Sequence, residues 1–195
     1  RRDYHYRMRP VEKAIIMREI KTGQIISAVT ELSKKANFNL RKDVLSALNS
    51  ALNKEKNSRG KKILKAIIDN ARIAHKDSLA ICQDTGVPVV FAEVGQGVSI
   101  TGGLLKEAIT KAIRSGYKQA FLRNSIILDP LKRKNPGYGP PIIHTELIKG
   151  NRIKLTVMPK GFGCENKSRV KMFNPTANIR EIKKFIINTV KEAGP

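Results

Sequence analysis

Residues 81–94 read I-C-Q-D-T-G-V-P-V-V-F-A-E-V, and the hydrophobic period of the chain changes across them. The second half, V-P-V-V-F-A-E-V, is short, apolar and β-branched, the pattern of a mostly buried strand. The first half sets a thiol, an amide, a carboxylate and a hydroxyl, Cys82 to Thr85, against Gly86 and Pro88. Taken alone it has two readings. It is a turn between buried elements in which Cys82 packs as a small hydrophobe, or a loop whose polar groups face a ligand.

Upstream of this stretch the period is helical. Ile25, Val29, Leu32 and Ala36 recur at i, i+4, i+7 and i+11, which predicts one amphipathic helix from about Met17. Val44, Leu48, Ala51 and Leu52 predict a second, with Asn39 as its N-cap, ended by a polar break from Asn53 to Gly60. Ile63, Ile67, Ala71 and Ala74 predict a third.

Downstream, Gly95, Gly97, Gly102 and Gly103 bracket a turn, and Leu104 to Ile113 carry a helical stripe that ends near Gly116. Residues 129–141 hold four prolines and two glycines and cannot form regular structure. Residues 142–148 and 152–158 read as two strands joined at Lys149-Gly150-Asn151, a hairpin in which Ile153, Leu155 and Val157 share a face. A last helix carries Ile182, Phe185, Ile186, Thr189 and Val190 on one side, with Asn178 and Glu181 at capping-box spacing. The fold class is therefore α/β or α+β, with N-terminal helices followed by a mixed β-sheet flanked by helices. Residues 1–16 are basic, match no element that follows, and read as a leader or a peripheral remnant.

Composition narrows the function classes. No run approaches the roughly 18 apolar residues of a membrane-spanning helix, and the N-terminus has no signal h-region. The expectation is a cytoplasmic protein. Two cysteines make no disulfide framework. The 38 Lys and Arg against 16 Asp and Glu give a net charge of +22, which draws polyanions or steers small anions. A basic nucleic-acid-binding domain without chemistry is the alternative that this charge supports. Against it, the basic residues are spread along the chain, aromatics are 5% and there is no Trp, so base-stacking platforms are scarce.

Two loops at strand ends hold most of the unusual polar residues, Cys82 to Gly86 and Lys160 to Arg169. Gly161 and Gly163 would let successive N–H groups face an anion, with Lys160 and Arg169 adding charge. The sequence is neither a Walker A loop nor a dinucleotide fingerprint, and taken alone G-F-G is more simply an ordinary strand-to-loop turn. Cys82 and Cys164 have no zinc spacing. A Cys–His pair with His75 or His144 has no local support, and satisfied histidines are the plainer reading.

Four motifs, I-C-Q-D-T-G, F-L-R-N-S, I-I-H-T-E and M-P-K-G-F-G-C-E-N-K-S-R, occur in that order. Together with the lead-in G-K-K-I-L-K-A-I-I-D-N-A-R-I-A they resemble the α subunit, or N-terminal part, of class I fumarases and L(+)-tartrate dehydratases. The likeness runs from about Met17 over nearly the whole chain. It implies a hydro-lyase with a [4Fe–4S] cluster held by three cysteines, whose open iron polarises a C–OH bond of a 2-hydroxy dicarboxylate. Cys82 matches the first cluster cysteine. Gln83 and Asp84 match substrate-contacting positions, with Asp84 handling a proton or a hydrogen bond. Arg123 matches a carboxylate-binding arginine, a role suited to its planar fork. Gly161 and Gly163 match the glycine loop against the substrate.

Three departures qualify the likeness. Cys164 stands where the family has serine, so it is not counted as a ligand. N-P-G-Y-G-P-P replaces a more polar loop. The family's second and third cluster cysteines have no counterpart here. The resemblance thus implies that residues 17–195 are the N-terminal part of a catalytic domain, truncated at its C-terminal end and inactive alone. A β subunit or C-terminal domain would complete it as a homo- or hetero-oligomer.

Overall fold

A computed structural model describes residues 17–127, 129, 131–132 and 137–194. The expectations for residues 1–16, for the Cys164 side chain and for part of the 129–141 loop lie outside the described residues. In chain order the elements are β1 (Arg18–Lys21), α1 (Thr22–Phe38), α2 (Lys42–Lys54), α3 (Ser58–Asp77), β2 (Val87–Gly95), β3 (Val98–Thr101), α4 (Leu105–Gln119), β4 (Ile142–Ile148), β5 (Ile153–Lys160), a 3-10 turn (Gly163–Lys167) and α5 (Ile179–Ala193). The class is α/β with mixed pairing, as the sequence predicts.

The V-P-V-V-F-A-E-V stretch is the centre of a three-stranded sheet of order β4-β2-β5. β2 runs parallel to β4, with Val90 opposite Ile143, and antiparallel to β5, with Val90 opposite Val157. Val90, Ala92 and Val94 alternate onto one face and join Ile25 and Val29 of α1 and Ile109, Ile113 and Tyr117 of α4 in the core. Burying each of the larger aliphatic side chains stabilises the fold by about 1.5–3 kcal/mol.

Polar residues also shape that core. Thr30, Ser33 and Asn37 of α1 are buried, and their hydrogen bonds run to backbone oxygens of Ala112, Thr30 and Ser33 at 3.1, 2.8 and 2.8 Å. A Cβ on Gly116 would stand 2.0 Å from Ser33 Oγ. The bare Cα at 116 is what lets α1 and α4 cross so closely.

Several expectations are corrected. Residues 142–148 and 153–160 are strands, yet they form no hairpin. β2 lies between them and pairs with both, because it is the most apolar strand and takes the central position. Ile153, Leu155 and Val157 do share a face, opposite Val94, Ala92 and Val90.

Asn39 caps the C-terminal end of α1, and α2 begins after Arg41. The polar break is shorter than predicted, since Asn57 caps α3 by accepting from the Arg59 and Gly60 N–H groups. α3 buries Ile68, Ala71 and Ala74, while Ile63 and Ile67 are exposed. Short strands β1 and β3 pair in parallel around the glycine turns. α4 continues past Gly116 to Gln119. Asn178 caps α5 as expected, through the Arg180 and Glu181 N–H groups, but no residue of α5 is buried.

Candidate active site

The antiparallel register of β2 and β5 decides where the polar loops meet. Val87, the first residue of β2, lies opposite Lys160, the last of β5. The I-C-Q-D-T-G loop therefore enters the sheet where the K-G-F-G loop leaves it. Contact is so close that a Cβ on Gly86, whose φ is +57°, would fall 1.8 Å from the Lys160 carbonyl oxygen. Only glycine accepts both that conformation and that approach.

Asp84 ties the two loops together. Its Oδ1 accepts the Gly86 N–H at 3.1 Å, and its Oδ2 accepts the Phe162 N–H at 2.8 Å. A Cβ on Gly161 would stand 2.9 Å from that same Oδ2. The backbone N–H of the glycine loop thus faces a carboxylate of the protein itself. Each oxygen keeps a further lone pair for another donor.

The third loop follows α4. Leu122 N–H bonds back to Tyr117 O at 3.0 Å after a left-handed residue at Phe121, φ 52°. The next carbonyl, that of Arg123, accepts the Thr85 hydroxyl at 2.9 Å. The Thr85 carbonyl in turn accepts the Tyr117 phenol at 3.0 Å. Burial pushes the Tyr117 phenol up to about 12, against an opposing hydrogen bond from Asn37.

Most of the predicted site residues therefore gather at one end of the sheet. Cys82 and Gln83 are exposed, Asp84 is half-buried, and Arg123 is exposed with its backbone pinned. Cys82 is a free thiol, not a buried apolar residue. Gly161 lies against Asp84, whereas Gly163 opens the 3-10 turn with nothing within 4 Å of where a Cβ would sit. Beside Arg123 a narrow crevice is lined by Gly86, Tyr117, Ser125 and Tyr138. The Ser125 hydroxyl is out of solvent with no hydrogen-bond partner among the described residues.

Lys160 Nζ folds onto the Gly161 carbonyl at 3.2 Å, and Arg169 Nη1 onto that of Ser168 at 3.0 Å. The two histidines have partners elsewhere: His144 stacks on Phe91 with centroids 5.1 Å apart, and His75 Nδ1 meets Asn39 Oδ1. Thr85 and Tyr117 escaped the sequence reading. The available signal was a tyrosine on the apolar stripe of α4, whose phenol needs a partner once buried.

The family model described as Fumarate hydratase (Fumerase) matches residues 26–195. This chain belongs to the fumarate hydratase family. The matched span takes in every loop that builds the site, while β1 lies before it. Among similar proteins, one from Methanocaldococcus jannaschii, provisionally named L(+)-tartrate dehydratase subunit alpha, is 35% identical over 88% of this chain and 62% of its own length. A provisionally named class I fumarate hydratase of Geobacillus stearothermophilus is 30% identical over 74% of this chain and 29% of its own. The anaerobic class I fumarate hydratase of Escherichia coli K12 is 30% identical over 64% and 23%. The chain thus spans about three-fifths of the first of these relatives and about a quarter of the other two.

A cysteine-held cluster fits this site in part. Cys82 presents an exposed thiol on the loop that also carries Gln83 and Asp84. Among the described residues no three His, Cys, Asp or Glu side chains group as a metal site. The described residues thus offer such a group one thiol and no complete ligand set. No described helix is long and apolar enough to cross a membrane.

Proposed function

We propose that this chain supplies one wall of the active site of a [4Fe–4S] hydro-lyase, which removes water reversibly from a 2-hydroxy dicarboxylate of the malate or tartrate class. The observation that carries the reading is the convergence of Cys82-Gln83-Asp84, Arg123 and Gly161, three loops joined by the Thr85–Arg123 and Asp84–Phe162 hydrogen bonds. Membership of the fumarate hydratase family, and the names of the relatives, support the class of reaction.

In this reading Cys82 holds one corner of the cluster. Cys164, the other cysteine of the chain, is not counted as a ligand, so two ligands of a three-cysteine cluster come from elsewhere in the assembled enzyme. When bound, the cluster supplies a Lewis acid for the departing hydroxyl.

The remaining work falls to side chains of this chain. Arg123 is exposed and has no ion-pair partner among the described residues, so its fork is available to grip a carboxylate in two parallel hydrogen bonds. Gln83 is exposed beside Cys82 and has both a donor and an acceptor for a substrate oxygen. Asp84 is held by two backbone N–H groups, and its remaining lone pairs can take a proton or a hydrogen bond. Gly161 makes way for the Asp84 carboxylate, while Gly163, with open space where a Cβ would sit, leaves room for close approach of the substrate. Residues 17–195 are then the N-terminal part of the catalytic unit, completed by a β subunit or a C-terminal domain in a cytoplasmic oligomer.

The test is anaerobic reconstitution, with iron and sulfide, of the complete enzyme containing this chain. Wild type should turn brown and dehydrate L-malate or L(+)-tartrate, and Cys82→Ser should lose both properties. A Cys82→Ser enzyme with full cluster absorbance and full turnover would falsify the assignment of Cys82.

A further inference from the structure

We propose that Thr85, anchored by Tyr117, is a positioning residue that sets the substrate-gripping Arg123 at a fixed place against the Cys82–Asp84 loop. The inference rests on the function proposed above and adds residues whose side chains touch neither substrate nor cluster in that reading.

Its basis is a continuous set of hydrogen bonds in the dry part of the site. Tyr117 lies on the buried stripe of α4 at 2% exposure, in line with Ile109 and Ile113. A buried phenol needs an acceptor, and here the acceptor is the Thr85 carbonyl at 3.0 Å. Thr85 is 3% exposed, and its hydroxyl donates to the Arg123 carbonyl at 2.9 Å. Tyr117 O takes the Leu122 N–H at 3.0 Å. One residue of α4 therefore holds the chain directly before Arg123 through its backbone, and holds the partner of Arg123 through its side chain.

The arrangement differs from generic core packing in what it joins. Thr85 follows Cys82, Gln83 and Asp84 directly, so its two bonds fix the spacing between the loop that bears the thiol and the residue that bears the guanidinium. The Arg123 side chain itself remains exposed. A long, flexible side chain aims well only if its backbone is immobile, and small displacements of a gripping group cost much of its effect. The methyl of Thr85 fills space, while its hydroxyl carries the link. Serine keeps that link and valine does not.

The experiment uses the complete enzyme, assayed with L-malate, fumarate and L(+)-tartrate. Thr85→Val should raise KM about tenfold or more for whichever acid is turned over, with kcat per active site changed less than threefold, because the carboxylate grip is displaced. Thr85→Ser should return KM to within about twofold of wild type. Tyr117→Phe, which removes one O–H and keeps the ring, should raise KM about threefold or more.

A merely structural role would lower the thermal midpoint and the yield of active enzyme while leaving KM alone. Thr85→Val with KM within twofold of wild type therefore overturns the proposal, as does failure of Thr85→Ser to rescue KM. If Thr85→Val does not fold, Tyr117→Phe with unchanged KM overturns it in the same way.

If wild type turns over none of the three acids, the function reading fails and hydrogen exchange decides the relay separately. Thr85→Val must then speed exchange of the amides at 122–126 relative to those of α1. Unchanged protection there sinks it.

Discussion

The closest approach in the site is also its most direct test. Replacing Gly86 by alanine adds one methyl group, which would stand 1.8 Å from Lys160 O, 2.3 Å from Lys160 C and 2.7 Å from Gly161 N. All three are backbone atoms, so no side chain can swing away. Carbon and oxygen need roughly 3.5 Å, and the end of β5 would have to retreat by more than 1 Å. That movement opens the Val87–Lys160 rung and pulls Phe162 N–H from Asp84.

Two contributions add here. The left-handed conformation at 86, φ +57°, costs a residue with a Cβ about 1–2 kcal/mol, and overpacking against the backbone costs about 1–3 kcal/mol more. Gly86→Ala should therefore lose roughly 2–5 kcal/mol, a drop in urea midpoint of about 1–3 M for a protein of this size. The comparison is Gly23→Ala. Gly23 sits in the first turn of α1 with nothing within 4 Å of its missing Cβ, and alanine there should be neutral or stabilising by up to about 1 kcal/mol. Urea denaturation of both variants, followed by circular dichroism, gives the difference. A Gly86→Ala protein within about 1 kcal/mol of wild type would mean that the two loops do not meet as described.

Two further outcomes follow from neighbouring groups. A Cβ on Gly163 meets open space, so Gly163→Ala should change stability by less than about 0.5 kcal/mol yet raise KM if substrate lies against that loop; unchanged KM removes Gly163 from the binding surface. The Tyr117 phenol, pushed up to about 12 by burial from an ordinary 10.0, holds its proton in the folded state after the unfolded chain has lost it. Its contribution is complete below about pH 10 and fades as pH rises towards 12, by about 3 kcal/mol in all. Denaturation across that window should be steeper for wild type than for Tyr117→Phe, and identical slopes would contradict the buried position of the phenol.

Much of the fold was legible because its signals are local. The apolar period of α1 and the β-branched run of β2 each follow from side chains within one element. Pairing order is not local, and there the reading went astray. I-I-H-T-E-L-I and R-I-K-L-T-V-M are separated by a turn-like Lys149-Gly150-Asn151, and adjacency suggested a hairpin. The sheet instead gives its centre to the strand with the longest apolar run, where burial on both sides gains most.

Polar core residues were hidden for a related reason. Thr30, Ser33 and Asn37 look like a solvated face until Gly116 and Ala112 of α4 are brought against them. At the site, the motifs mark Cys82, Asp84 and Arg123, whereas the Thr85 hydroxyl and the Tyr117 phenol donate to backbone carbonyl groups that every residue has. A sequence does not show which carbonyl will be used.

The sheet topology also accounts for the end at which the polar groups collect. In an antiparallel pair the loop before one strand and the loop after the other share an edge, so β2 and β5 bring residues 82–86 and 160–163 together once Val87 lies opposite Lys160. β4, parallel to β2, begins at Ile142, opposite Val89, two residues short of that edge. The shorter strand leaves Pro88 without a β4 neighbour where its missing N–H would break a ladder, and the chain leaving α4 reaches the same edge at Arg123. A one-residue slip between β2 and β5 would turn Val90 and Ala92 out of the core. The apolar alternation that closes the core therefore also sets Asp84 at hydrogen-bonding distance from Phe162, and the order of the site is held by the burial of residues far from its chemistry.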